Sequence, residues 1–92
     1  MSKINKEIKD MIDDAVEIMD EQIEDRSVPR NIRENISEAK EKTLHFEEDG
    51  VNFSTAIYVL DDISNDINMP HHTRTEIWNI ISKLEAIKEK FK

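Results

Sequence analysis

The amino-acid sequence predicts an all-α fold, an up-and-down four-helix bundle made of two sequence-related antiparallel helical hairpins. Three observations carry this expectation. Apolar residues recur at spacings of three and four in four separate stretches, the period of one face of a helix. One Gly and two Pro among 92 residues are too few for the many turns of a sheet-rich domain. The chain also aligns with itself at a shift of 41 positions.

In the first stretch, Ile4, Ile8, Met11, Ile12, Ala15, Met19 and Ile23 form a broad stripe, with Asp13, Glu17, Asp20, Glu21 and Glu24 flanking or opposing it. A second stripe, Ile32, Ile36, Ala39, Thr43 and Phe46, runs into "EEDG". There Asp49 is placed to cap the following helix, and Gly50, the only glycine, marks the midpoint. Ala56, Ile57, Leu60 and Ile63 make the third stripe, and Ile77, Ile80, Ile81, Leu84, Ile87 and Phe91 the fourth. Lys83, Lys88, Lys90 and Lys92 fall late in the fourth helix, where its dipole favours positive charge. A single domain over 1–92 is expected, with hairpin one about 3–46 and hairpin two about 50–91. A chain of this length holds one core, with no room for a deep, separately walled pocket.

The shift of 41 sets "AVEIMDEQIEDRSVPRNIRENI" against "AIYVLDDISNDINMPHHTRTEI". Ala15, Asp20, Asp25, Pro29, Arg33 and Ile36 then coincide with Ala56, Asp61, Asp66, Pro70, Arg74 and Ile77. Periodicity alone reproduces the apolar matches but not the matched Pro and Arg, so two copies of one helix-turn-helix unit are expected. Two copies are too few for a solenoid, and they bury their apolar stripes against each other. Ser27 and Asn68 occupy equivalent places before the prolines, which predicts them as helix N-caps with Pro29 and Pro70 in the first turn. Counting outward from the middle of each turn puts positions 20 and 33 at similar heights, and 61 and 74 likewise. Cross-helix ion pairs Asp20 with Arg33 and Asp61 with Arg74 are therefore expected, with Asp25 and Asp66 as extra acceptors.

Composition excludes several function classes. A formal charge of −8 repels nucleic-acid phosphates over most of the surface. The absence of Cys removes disulfides, thiolate metal sites and cysteine nucleophiles. The opening "MSKINKEIKDMIDD" interrupts its apolar positions with charges, so neither a signal peptide nor a membrane span is expected there. A P-loop or a dinucleotide turn needs more glycine than the chain has. His71 and His72 are adjacent and point about 100° apart on a helix, the wrong spacing for a two-His metal site. His45 falls at the other end of the bundle, on the order of 20 Å away. The acidic row on helix one lacks a loop to wrap a cation and reads as a solvated face. No metal, cofactor or catalytic residue is expected, and the protein is not expected to be an enzyme. Trp78 and Tyr58 sit beside the apolar stripes, where large aromatics either widen the core or meet a partner.

The duplication also brings both proline turns to one end of the bundle. Arg26, Ser27, Arg30 and Asn31 are then expected to neighbour Asn68, His71, His72 and Thr73, so that two helix N-termini converge beside Arg and His side chains. These residues are the candidate surface for a partner or a small anion. Asp20, Pro29 and Arg33 with Asp61, Pro70 and Arg74 are the structural motif that builds it.

"EDRSVPRNIR" together with "ISNDINMPHHTRTEIWNIISKLE" resembles the archaeal uncharacterised protein family UPF0147 over nearly the whole chain. The resemblance implies a compact four-helix domain, grouped structurally with bromodomain-like bundles, in a cytoplasmic archaeal protein. It brings no catalytic residues with it. Ile67 departs from the pattern, in which Pro often follows "ND", and this relaxes the second turn. Acetyl-lysine binding does not follow from the shape, because bromodomain-type pockets need a long first connection and residues 26–28 are too short to supply one. The expected function is a small non-catalytic intracellular protein-interaction or scaffold module. The alternative is a domain that binds a small anion or nucleotide with the helix N-termini near 27–33 and 68–74. A protein partner or self-association is expected; a membrane, a nucleic acid or a metal is not.

Overall fold

A computed structural model describes residues 6–45 and 51–90. Among the described residues the chain is all-helical, with α1 at Lys6–Glu24, α2 at Arg30–Leu44, α3 at Val51–Ile63 and α4 at His71–Glu89. Each helix packs on two neighbours: α1 on α2 and α4, and α3 on α2 and α4. The short turns make α1 antiparallel to α2 and α3 antiparallel to α4. Two contacts orient the closing of the bundle, the ion pair of Lys90 Nζ with Glu7 Oε1 at 2.8 Å and the hydrogen bond between His72 Nε2 and Asp25 Oδ2 at 3.2 Å. The end of α4 therefore lies at the start of α1 and the start of α4 at the end of α1. This is an up-and-down four-helix bundle. No helix among the described residues is long and apolar enough to cross a membrane.

The stripes form because residues three and four apart share a helix face, and those faces become the core. Ile8, Ile12, Ala15 and Met19 of α1 are buried, as are Ile32, Ile36 and Ala39 of α2. Ala56, Leu60 and Ile63 of α3 join Ile77, Ile80, Ile81, Leu84 and Ile87 of α4. Each fully buried aliphatic side chain contributes roughly 1.5–3 kcal/mol relative to its exposed state. Met11, Ile23 and Ile57 are only half-buried at the edges. Phe53, outside the expected third stripe, is fully buried and extends it one turn toward the start of α3. Ile4, Phe46, Phe91, Lys92 and the capping role of Asp49 beside Gly50 lie outside the described residues.

Burial follows the shift of 41. Ile12, Ala15, Met19, Gln22, Val28, Ile32, Ile36, Ala39 and Thr43 are buried, and so are Phe53, Ala56, Leu60, Ile63, Met69, Thr73, Ile77, Ile80 and Leu84 at the corresponding places. Polar and apolar residues exchange at three of these places, Gln22 for Ile63, Ile32 for Thr73 and Thr43 for Leu84. Thr43 meets its hydroxyl's need locally, donating to the Ala39 carbonyl at 2.9 Å. At the far end Asn52 Nδ2 donates to the His45 carbonyl and ties α2 to α3.

The turns correct two expectations. Ser27 and Asn68 are not N-caps; the caps are Pro29 and Pro70, extended at φ −55°, ψ 146° and φ −59°, ψ 149°, with no side-chain cap bond. Proline thus ends each loop instead of opening the first helical turn, and its carbonyl accepts the first intrahelical bond, from Arg33 N or Arg74 N at 3.0 Å. The local carboxylate orders the loop instead of capping the helix. Asp25 Oδ1 accepts from Ser27 N at 2.9 Å and Asp66 Oδ1 from Asn68 N at 2.8 Å, the Asx turn that Asp forms two residues before a loop amide. Val28 N and Met69 N close each loop by donating to the Asp25 and Asp66 carbonyls.

The ion pairs Asp20 with Arg33 and Asp61 with Arg74 do not form. Arg33 Nε donates to the Val28 carbonyl at 3.1 Å, and Arg74 donates through Nε to Ser64 O at 3.1 Å and through Nη2 to Asp66 O at 2.8 Å. Equal counting from the turn assumed that paired positions lie level. Asp20 instead meets Lys40 at 2.5 Å, two turns further along α2, so the two helices are offset along their axes from what equal counting assumes. Each Arg then stands level with its own loop, where free carbonyls lie closer than the carboxylate of the preceding helix.

Candidate functional site

The two loops meet at one end of the bundle, and their side chains cross between hairpins. His72 Nε2, in the first turn of α4, lies 3.2 Å from Asp25 Oδ2 and 3.4 Å from Ser27 Oγ. Asn31 Nδ2, in the first turn of α2, donates to Asp66 Oδ2 at 3.4 Å. A carboxylate can only accept, so Nε2 is the protonated nitrogen of His72. Ser27 Oγ in turn donates to Asp25 Oδ1 at 2.6 Å.

Of the expected surface residues, Ser27 and His72 are thus joined through Asp25, and Asn31 is joined through Asp66 to the Asn68 amide, in two neighbouring hydrogen-bonded groups. Arg26, Asn68 and His71 are exposed around them. Arg30 turns along its own helix to Glu34 at 3.1 Å, an exposed i,i+4 pair of the kind worth ~0.3–0.5 kcal/mol. Thr73 is not part of the surface. It is fully buried on the core side of α4, and its Oγ1 has no hydrogen-bond partner among the described residues. Asp25 and Asp66 are the organising residues, and the spacing Asp-x-Ser and Asp-x-Asn before Pro was the signal for them.

Ser27, His72 and Asp25 share the residue types of a hydrolase triad but not its geometry. A triad needs Asp on one ring nitrogen and Ser on the other, so that the imidazole passes a proton between them. Here both press on the same nitrogen, and the serine proton is already committed to Asp25. The arrangement is a clasp between hairpins and supplies no activated nucleophile. Among the described residues no group of three or more His, Asp or Glu could hold a metal ion. His45, at the opposite end, is near its own Glu41 carbonyl through Nδ1 at 3.0 Å.

The profile of the uncharacterised protein family UPF0147 matches residues 1–87. The chain belongs to this family. A UPF0147 protein of Methanocaldococcus jannaschii is 56% identical over 72 residues, covering 77% of each chain. One from Archaeoglobus fulgidus is 46% identical over 76 residues, 83% of this chain and 87% of the relative. The crystal structure of a family member from Thermoplasma acidophilum superposes with a TM-score of 0.80 at 34% identity, over 86% of this chain and 94% of that one. The unknown-function protein MMP1188 superposes with a TM-score of 0.77 at 49% identity, over 84% and 89% of the two chains.

In this UPF0147 member the clasp has a pH signature. Asp25 is held below its ordinary value of 3.8, chiefly by the Ser27 hydroxyl, then by the Ser27 amide and the His72 ring. A carboxyl with a depressed folded value stabilises the fold fully above its unfolded value, and this contribution is lost as pH falls through the folded value. Urea midpoints measured from pH 6 down to pH 2 should fall below about pH 4 in the native chain. Asp25→Asn should flatten that part of the profile. An unchanged acid limb in the variant would show that the clasp carries no such linkage.

Proposed function

We propose that this UPF0147 chain is a small non-catalytic intracellular protein-interaction or scaffold module. The observation that supports the reading is the placement of its large aromatics. The core closes without Trp78 and Tyr58, which remain 50% and 74% exposed. Trp and Tyr combine apolar area with a hydrogen-bonding tip and are enriched where protein surfaces meet. The clasp geometry, which commits the serine proton and both carboxylates to internal bonds, also favours a binding role over a chemical one.

Small-anion binding is the second reading, favoured by the open N-termini of α2 and α4, which lack side-chain caps. The same end carries the Asp25 and Asp66 carboxylates, which already hold the loop amides and repel an incoming phosphate. This reading is therefore the weaker one.

Capture from an archaeal lysate, read by mass spectrometry, separates the two. The native chain should retain one protein reproducibly, and the Trp78→Ser, Tyr58→Ser double variant should lose it by about tenfold or more, as for a truncated hot spot. Recovery no different from bare resin would sink the interaction reading. Phosphate or nucleotide that copurifies and shifts the amides of 27–33 and 68–74 would support the anion reading instead.

A further inference from the structure

The seam between α1 and α4 is latched at its two ends by Glu7 with Lys90 and Asp25 with His72, and among the described residues no ion pair joins the helices between them. Counting inward from these latches along two antiparallel helices sets Met11 beside Ala86, Asp14 beside Lys83 and Ile18 beside Asn79. The first two pairs, with Ser82, line a cleft of about 270 Å³. The small side chains of Ser82 and Ala86 leave the outer wall low. Half-buried Met11 supplies an apolar floor, and half-buried Ile18 follows it seven residues on along the same face. Small-molecule sites usually run to ~300–1,000 Å³, so a cleft this size suits one or two inserted side chains better than a whole metabolite.

The rim is acidic. Asp10, Asp13, Asp14, Glu17, Glu21 and Glu24 run along the outside of α1 and all are exposed. Asp14 and Glu21 lie nearest the cleft, Asp10 and Glu17 further round, and Asp13 and Glu24 point more than about 100° from the Met11 and Ile18 face. Asp10 is paired with Lys6 of its own helix, whereas the other five make no ion pair among the described residues. On α4 the cleft is lined by one cation, Lys83, facing Asp14. Half-buried Glu76 adds a further carboxylate on the same side of α4 toward the clasp.

We propose that the α1/α4 seam docks a basic amphipathic helix of a partner protein. Its apolar residues, spaced as i, i+3 or i+4 and i+7, enter the cleft between Met11 and Ala86, and its Lys or Arg residues meet the carboxylates of α1. Charge complementarity selects this occupant. A second copy docked about a two-fold axis perpendicular to the helices would bring two acidic α1 rows together, and like charges in register oppose that contact. A two-fold along the seam would set α1 against α4, and a dimer dispersed by Ala86→Arg would reveal it. Nucleic-acid phosphates meet the same repulsion. The surface is distinct from the aromatic one at Tyr58, whose helix α3 does not pack on α1, whereas Trp78 points about 140° from Lys83 around α4 but lies one turn before Ser82 at the edge of the cleft. The inference therefore goes beyond the aromatic contact and stands independently of it.

The probe is a synthetic Leu/Lys peptide of amphipathic helical pattern, with a Leu/Glu analogue as its opposite. At low salt the Lys peptide should bind, and amide shifts should concentrate in residues 10–21 and 76–86. Ala86→Arg fills the cleft with a good helix former and should weaken binding by about tenfold or more. The exposed pair Glu17→Lys with Glu21→Lys should do the same, while Glu38→Lys with Glu41→Lys on α2, an equal change in net charge, should alter affinity by no more than about twofold. Circular dichroism confirms that each variant remains folded. Equal losses from the two charge-reversed pairs would reduce the effect to net charge and overturn the proposal. So would equal binding of the Glu peptide, shifts centred on α2 and α3, or a dimer dispersed by Ala86→Arg. Tyr58→Ser, on α3, should leave peptide affinity unchanged. Peptide docking as described with no lysate partner lost on removing the aromatics would sink the aromatic contact alone, and the reverse pattern would sink the seam alone.

Discussion

Ile36→Ala and Ile77→Ala should each lower the free energy of unfolding by about 3 kcal/mol, within the 2–5 kcal/mol usual for truncating a buried Ile. Both side chains are fully buried, one in α2 and one in α4, at corresponding places of the two hairpins. The cost combines lost transfer energy with a cavity that the surrounding helices fill only in part. These two helices are diagonal in the bundle and do not pack on each other. The double variant should lose up to roughly the sum, about 6 kcal/mol, with any departure from the sum measuring coupling through shared core neighbours. Domains of this kind are stable by only ~5–15 kcal/mol, so the doubly substituted chain would be near unfolding at room temperature. Urea denaturation of the three variants measures this. A cost below about 1 kcal/mol at either place would mean that the hairpins do not share one tightly packed interior.

Arg74→Ala should cost about 2–3 kcal/mol and Arg33→Ala about half of that, since a hydrogen bond involving a charged group contributes ~1.5–3 kcal/mol before solvent exposure reduces it. Arg74 is half-buried and holds two loop carbonyls, Ser64 O and Asp66 O, whereas Arg33 holds only Val28 O. Arg74→Lys should recover less than half of the loss, because an ammonium lacks the planar fork that reaches two carbonyls together. Thermal or urea unfolding with unchanged m-values tests the ordering. Equal costs for the two arginines would mean that the second carbonyl contact contributes nothing.

Fold legibility followed from side-chain period. Ile8, Ile12, Ala15 and Met19 announce a helix face whatever surrounds them, and Pro29 and Pro70 mark where each hairpin bends. What escaped the sequence was height. Asp20 and Arg33 are equidistant from the turn in residue number, but Asp20 meets Lys40 and Arg33 the Val28 carbonyl, because the helices are offset along their axes. Thr73 shows a different difficulty: it stands two positions after the exposed His71, yet it is fully buried. A hydroxyl at a helix start reads as surface, although its place four residues before Ile77 and its equivalence to Ile32 under the shift of 41 both mark it as interior. The joining of Ser27, His72 and Asp25 needed the closing contact between the first and last helices, which depends on packing between residues more than 40 positions apart.

The 2.8 Å contact between Glu7 and Lys90 brings the outer ends of the first and last rods side by side. A linker joining the start of α1 to the end of α4 would make the polypeptide circular, after which new termini could be cut at any of the three connections between helices. The order of the rods along the backbone is thus a separable property from their arrangement in space, and rewired versions of this scaffold are open to design.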